Sequence, residues 1–224
     1  MFERYAIFYT PTGPLAAFGA HWLGWDNGKG QAVPQPDFGQ IDIGAVTQTP
    51  RKYGFHGTLK APFHLAQDTG LTELQIAATA FAARQPAFAI GAVELRHDSE
   101  FVALRPANET TALRDLAARV VKTFDPYRAP LTEVDIARRR TAHLSPRQDQ
   151  QMLDWGYPFI FDDFHFHLTL SGRLPADAAA EVIATLSRHL EPIVPNPFVV
   201  DAITLMGQDT TGMFHQIHRY ALTG

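Results

Sequence analysis

The chain has 224 residues, 46% of them hydrophobic, enough apolar material for one large domain or two small lobes that share an interface. Its formal net charge of -4 argues against a surface built for a polyanionic backbone, but is compatible with a small anion held by a few local cations. Without cysteine, disulfides, thiolate metal sites and cysteine nucleophiles are excluded, and no stretch reaches the ~18 apolar residues of a membrane span, so a soluble cytoplasmic protein is expected.

In chain order, "RYAIFY" at residues 4–9 is predicted as an edge or swapped strand, and "PLAAFGAHWLG" as a short helix stopped by Gly24. Residues 26–54, rich in Gly, Pro and Gln, form a long connection of the kind that serves as a lid, a binding loop or a disordered segment. After "YGFHGTL" (53–59) comes "LTELQIAATAFAAR", in which Leu74, Ala77, Ala78 and Phe81 recur at helical spacing. "AFAIGAVELR" and "EFVALRP", separated by "HDS", read as a hairpin. Leu113, Leu116, Ala117, Val120 and Phe124 mark a further helix, and Ser145-Pro146 caps another, "PRQDQQMLDW". "FHFHLTL" (164–170) then precedes a helix that opens at Pro175, carries Ala179, Ile183, Leu186 and Leu190 on one face and ends near Glu191-Pro192. Two strand-like runs, "PFVVDAITLM" and "MFHQIHRYAL", flank the turn "GQDTTG".

Phe-His-x-Thr-Leu therefore occurs twice, at 55–59 and 166–170, each time followed by a helix and two strands. Phe88 follows His56 by 32 residues and Phe198 follows His167 by 31, as a duplicated β-α-β-β unit requires. The expectation is an α+β fold over 1–224 with two such units, which the family resemblance given below makes a single bilobal domain. Its first lobe spans about 50–125 and its second about 155–224, with residues 1–25 contributing a strand and a short helix.

In a strand, alternate side chains share a face, so His56 and Thr58 are presented together, as are His167 and Thr169, while the intervening apolar residues anchor the strand. Imidazole titrates near neutral pH and serves as base or acid, and a threonine hydroxyl suits a phosphoryl oxygen. In-line displacement at phosphorus needs a proton removed on one side and supplied on the other, which two such pairs across a cleft provide. On the same parity, Lys60 is a candidate for bringing positive charge to a phosphate, with Ser171 in the matching place and His165 beside His167. Tyr53 and Arg51 precede the first motif, and Arg138 and Arg140 are candidates for a terminal phosphate if their segment folds over the cleft. His64 reads as a strand-end residue. His165, His167, His215 and His218 have spacing compatible with a metal, but that reading leaves the duplicated threonines unexplained, so no metal and no cofactor are expected.

The two His-x-Thr motifs, each opening a β-α-β-β unit, resemble the 2H phosphoesterase superfamily. The longer stretches "RKYGFHGTLKAPF" and "WGYPFIFDDFHFHLTLSG" resemble its branch associated with bacterial phosphonate-metabolism operons. The resemblance implies a bilobal, pseudo-twofold fold, mainly antiparallel sheets facing a central cleft, and metal-independent chemistry. It makes His56 and His167 the acid/base pair and Thr58 and Thr169 the phosphate ligands. The activity it implies is hydrolysis of a cyclic phosphodiester, either a ribose or nucleoside cyclic phosphate or a phosphonate-pathway intermediate. The alternatives are a non-catalytic phosphometabolite-binding protein and an RNA-end cyclic phosphodiesterase or ligase-like enzyme. The partner expected is a small phosphorylated substrate and no membrane; the acidic balance disfavours extended nucleic acid, and no protein partner is inferred.

Overall fold

The computed structural model describes residues 2–39, 41–98, 100–108 and 110–224. Strand β1 (Arg4–Tyr9) is buried from Tyr5 to Tyr9 on both of its faces, the pattern of a central strand rather than of the predicted edge. Helix α1 (Gly13–Leu23) starts with Pro14 in its first turn and is closed by Gly24 at φ 77, the left-handed conformation that glycine adopts without strain.

The connection at 26–54 carries order of its own: β2 (Trp25–Asp26), β3 (Gln31–Ala32), α2 (Ile43–Val46) and α3 (Gln48–Arg51). Arg51 ties it together. Its guanidinium donates to the carbonyls of Leu23 and Gly44 and to the side chains of Gln35 and Thr47, at 2.9–3.1 Å. These bonds occupy the guanidinium within the connection, so the expectation that Arg51 reaches a ligand is corrected: it holds the loop. Gln40, inside this connection, lies outside the described residues.

The first motif leads into β4 (Gly57–Phe63), α4 (Leu71–Ala82), β5 (Phe88–Ala89), β6 (Val93–Asp98) and β7 (Phe101–Pro106). Ser99, placed by the sequence in the β6–β7 turn, lies outside the described residues. Helix α5 (Thr111–Phe124) follows and packs Leu113, Leu116, Val120 and Phe124 into the core. Beyond it come α6 (Glu133–Arg140) and α7 (Pro146–Trp155), the latter with a full capping box between Ser145 and Gln148. The second motif leads into β8 (Leu168–Arg173), α8 (Ala176–Leu190), β9 (Val199–Val200), β10 (Ala202–Gln208) and β11 (Phe214–Ala221). Pro175 is the N-cap of α8 rather than its first helical residue.

Seven strands form one antiparallel sheet in the order β11-β10-β1-β4-β8-β7-β6, which gives the expected α+β fold. The two motif strands, β4 and β8, are neighbours near its middle. Alternation along each strand sends Ile7, Leu59, Leu104, Leu168, Leu170 and Leu205 into the main core with α4, α5 and α8. On the other face Ala6, Phe8, Met206 and Phe214 make a small second cluster, with Tyr53 against it.

The hairpins are exchanged between the repeats. β7 of the first unit pairs with β8 of the second, whereas β10 of the second reaches β4 of the first through β1. The short strands β5 and β9, which lead into the hairpins, pair with each other through Phe88↔Val200 and Ala89↔Val199. Each spatial half therefore draws on both repeats, and stretches 50–125 and 155–224 are units of sequence rather than of pairing. The cause is connectivity: α4 and α8 each separate a motif strand from its hairpin, leaving the hairpin free to join the neighbouring strand.

Candidate active site

Gly57 and Leu168 are Cα partners across the antiparallel β4–β8 pair. Continuing that register by one residue sets His56 across from Thr169 and Thr58 across from His167. Phe55, Leu59, Phe166 and Leu170 point the other way and are at most 5% exposed, so the four polar side chains stand on a strand floor anchored from beneath. All four line one cavity of about 550 Å³.

Both imidazoles are held alike. His56 Nδ1 bonds the Gly54 carbonyl at 2.8 Å and His167 Nδ1 bonds the His165 carbonyl at 2.8 Å, in each case the residue two before. A carbonyl only accepts, so Nδ1 carries the hydrogen in both rings and Nε2 carries the lone pair. The Thr58 hydroxyl, 3.2 Å from His56 Nε2, donates to it. The His56 ring stacks on Phe8 at 3.8 Å between centroids, and His167 leans on Phe101 at 5.4 Å. Burial pushes both imidazoles down to about 4. The accepting carbonyl opposes the shift in each; His167 adds to it at His56, as Arg105 does at His167.

The other expected residues divide. Tyr53 lines the cavity, its ring 5.8 Å from His56 and 5.1 Å from Phe214. Ser171 borders it too, yet its hydroxyl accepts from the Val102 N–H and donates to the Gly172 carbonyl, filling an irregularity where the β7–β8 register shifts. His165 lies on an adjoining cavity of about 500 Å³, and its carbonyl orients His167. His64 bonds the Glu3 carbonyl.

Lys60 requires a correction. Strand alternation from Thr58 places it in the cleft, but a β-bulge intervenes: Phe8 pairs with Thr58 while Ile7 pairs with Lys60. The extra residue turns Lys60 to the core side, where it is 3% exposed and bonds the Val121 carbonyl and Asp125, both at 3.2 Å. Arg140 is corrected as well. Helix α6 fans its three arginines about 100° apart, and Arg140 points away to a two-pronged ion pair with Asp149. Arg138 borders the cavity but is paired with Asp135 at 2.7 Å. The arginine turned inward is Arg139, which sequence reasoning passed over, as it did Arg4, Arg105, Phe8, Phe101 and Tyr157. No periodic signal marks α6, which buries no residue, so nothing in the sequence told its three arginines apart.

Among the described residues, no group of three or more His, Cys, Asp or Glu is arranged to hold a metal ion. His215, part of the metal alternative, is bonded to Asp209 at 2.7 Å. No helix of the described residues is long and apolar enough to cross a membrane.

Fold and site together define an α+β protein in which two His-x-Thr strands meet as neighbours in one antiparallel sheet. The chain belongs to the family described as "Protein of unknown function (DUF1045)", whose profile matches residues 58–215. It is 36% identical over 219 residues to "Ribose 1,5-bisphosphate phosphokinase PhnN" of Janthinobacterium sp. (strain Marseille), covering 93% of this chain and 48% of that protein. The chain spans about half the length of the curated relatives it matches. Solved structures similar to it include one described as "phosphoesterase", at TM-score 0.46 and 18% identity, and E. coli LigT complexed with 3'-AMP, at 0.45 and 18%. Both superpositions cover 100% of each chain.

Proposed function

We propose that the protein is a phosphoesterase that opens a small cyclic phosphodiester by two-histidine general acid-base catalysis. The observation that carries this reading is the meeting of the duplicated motifs: two imidazoles of one tautomer, each beside a threonine hydroxyl, in one cavity. One Nε2 takes a proton from water as its oxygen bonds to phosphorus; the other, protonated, delivers its proton to the ester oxygen that leaves. Thr58 and Thr169 hold the non-bridging oxygens. The Thr58 hydroxyl turns from His56 Nε2 toward the phosphoryl group when substrate enters, freeing that lone pair. The product is the ring-opened phosphomonoester, and the metal-independent chemistry implied by the 2H resemblance is kept in this reading.

The curated relatives are named for a ribose bisphosphate, and from that name we carry over the substrate chemistry alone, a ribose phosphate. The motif resemblance to the phosphonate-operon branch favours the same class. The test is turnover of a panel of ribose and nucleoside cyclic phosphates in the presence of a chelator. Ring opening that His56→Ala and His167→Ala each abolish supports the reading; tight binding of the whole panel without turnover favours a phosphometabolite-binding protein instead.

A further inference from the structure

The cleft has more positive charge than its proposed chemistry uses. Arg4, Lys52, Arg138, Arg139 and Arg173 all line it, and among the described residues no Asp or Glu does, in a chain whose formal net charge is -4. A phosphodiester brings a single negative charge. Arg138 and Arg173 are occupied, by Asp135 and Glu100. Among the described residues, Arg4, Lys52 and Arg139 have no carboxylate in ion-pair contact. Arg4 donates from Nε to the Gln208 side chain, and Lys52 lies over the Tyr53 ring.

Arg139 is the most informative of these. It is partly buried, its guanidinium lies over the Tyr157 ring at 5.4 Å, and its Nε is closed off from solvent with no hydrogen-bond partner. A buried Nε has no room for a ligand oxygen, so the donors open to an acceptor are the other N–H groups of this guanidinium, which lines the cleft and among the described residues has no carboxylate in ion-pair contact. The nearby carboxylate, Asp135, is bonded to Arg138 and Thr132. Burial lowers the Arg139 pKa, with Arg138 and then Arg4 adding to the shift and Tyr157 and Asp135 opposing it, so Arg4 lies close enough to be felt at Arg139. Arg4 also shares the cleft face of β1 with Phe8, the residue beneath His56, and lies four residues along it, about 13 Å at ~3.3 Å per residue.

We propose that Arg139 and Arg4, with the Tyr157 hydroxyl, form a second anion subsite at the far end of the cleft that takes a phosphomonoester on the substrate. The substrate class is thereby a cyclic phosphodiester that carries a separate terminal phosphate, a group of charge about -1.5 to -2 at pH 7 with three acceptor oxygens. Guanidinium groups suit it through paired hydrogen bonds. The proposal rests on the phosphoesterase reading for the identity of the other group in the cleft.

The test is binding, measured by calorimetry on the His167→Ala chain, which blocks turnover. The probes are adenosine 2′,3′-cyclic phosphate and the same compound bearing a 5′-phosphate. The phosphorylated probe is expected to bind roughly tenfold or more tightly, as charge-assisted hydrogen bonds imply. Adding Arg139→Gln, or separately Arg4→Gln, brings the two affinities to within about threefold, while Arg140→Gln keeps the preference. Retained binding of the unphosphorylated probe shows that each variant is folded. Equal affinities in the parent, no binding of either probe, or an undiminished preference in both the Arg139 and Arg4 variants overturns the proposal. If the unsubstituted chain turns over neither probe while the His167→Ala chain shows a clear preference, the phosphoesterase reading fails and the subsite stands.

Discussion

Gly57 and Leu168 occupy the same place in the two motifs and lie directly opposite one another in the sheet. The pseudo-twofold relation passes between them, and it is broken at that point. A Cβ on Gly57 would fall 2.4 Å from the ring of Phe166, the aromatic residue of the other motif. One copy therefore reads Phe-His-Gly-Thr-Leu and the other Phe-His-Leu-Thr-Leu because only one side leaves room. Gly57→Ala is expected to cost about 1–3 kcal/mol of stability through overpacking, read as a lower denaturant midpoint. It should also lower kcat, since His56 and Thr58 flank the displaced residue.

The pH dependence follows from burial. Both histidines are held at about 4, below the usual 6.5. The proposed chemistry needs one imidazole protonated and one neutral. In the unliganded protein that form is most abundant near pH 4 and declines as pH rises, because the acid loses its proton. A bound phosphate anion favours the protonated ring and raises its pKa. The kcat/KM profile should therefore be a bell in the acidic range, with the kcat bell displaced toward neutral pH. Coincident bells, or a kcat bell on the acidic side of kcat/KM, would contradict this assignment.

Thr58→Val removes the hydroxyl that bonds His56 Nε2 while keeping a similar shape. Loss of a hydrogen bond to a charged phosphoryl group is worth about 1.5–3 kcal/mol, so kcat/KM should fall roughly 10- to 150-fold, and Thr58→Ser should recover most of it. Steady-state kinetics of the two variants check this; a serine variant no better than valine would point to a packing role.

Lys60 should behave as a structural residue. Burial lowers its pKa to about 8 against the opposing pull of Asp125. Asp125 also bonds Arg128 at 2.8 Å. Lys60→Met is therefore expected to destabilise by less than the ~3–5 kcal/mol of a fully broken buried pair, because Asp125 keeps one partner. KM should change by no more than about threefold, the margin expected of a residue that touches no substrate. Thermal unfolding and KM measured side by side separate this from a phosphate-binding role.

Much of the fold was legible because its signals are local. Gly24 as a helix stop and Ser145-Pro146 as a helix start depend on their own backbone, and both stand where the sequence put them. The alternation that places His56 with Thr58 and Phe55 with Leu59 is likewise local. What the sequence did not show is what depends on a partner. A strand's alternation does not name its neighbour, so the central position of β1 and the exchange of the two hairpins were hidden. The bulge that turns Lys60 inward exists only in the pairing of β1 with β4. The choice among Arg138, Arg139 and Arg140 depends on how α6 is rotated against Tyr157, which three adjacent arginines do not reveal.

The central claim is that His56 and His167 act as one acid-base unit. Its most direct test is kcat for ring opening of a nucleoside 2′,3′-cyclic phosphate, with chelator present, in His56→Ala, His167→Ala and the double variant. Each single change is expected to lower kcat by at least ~100-fold, and the double variant to be little worse than either, since groups that act together lose their effect together. Full activity in either single variant would contradict the account.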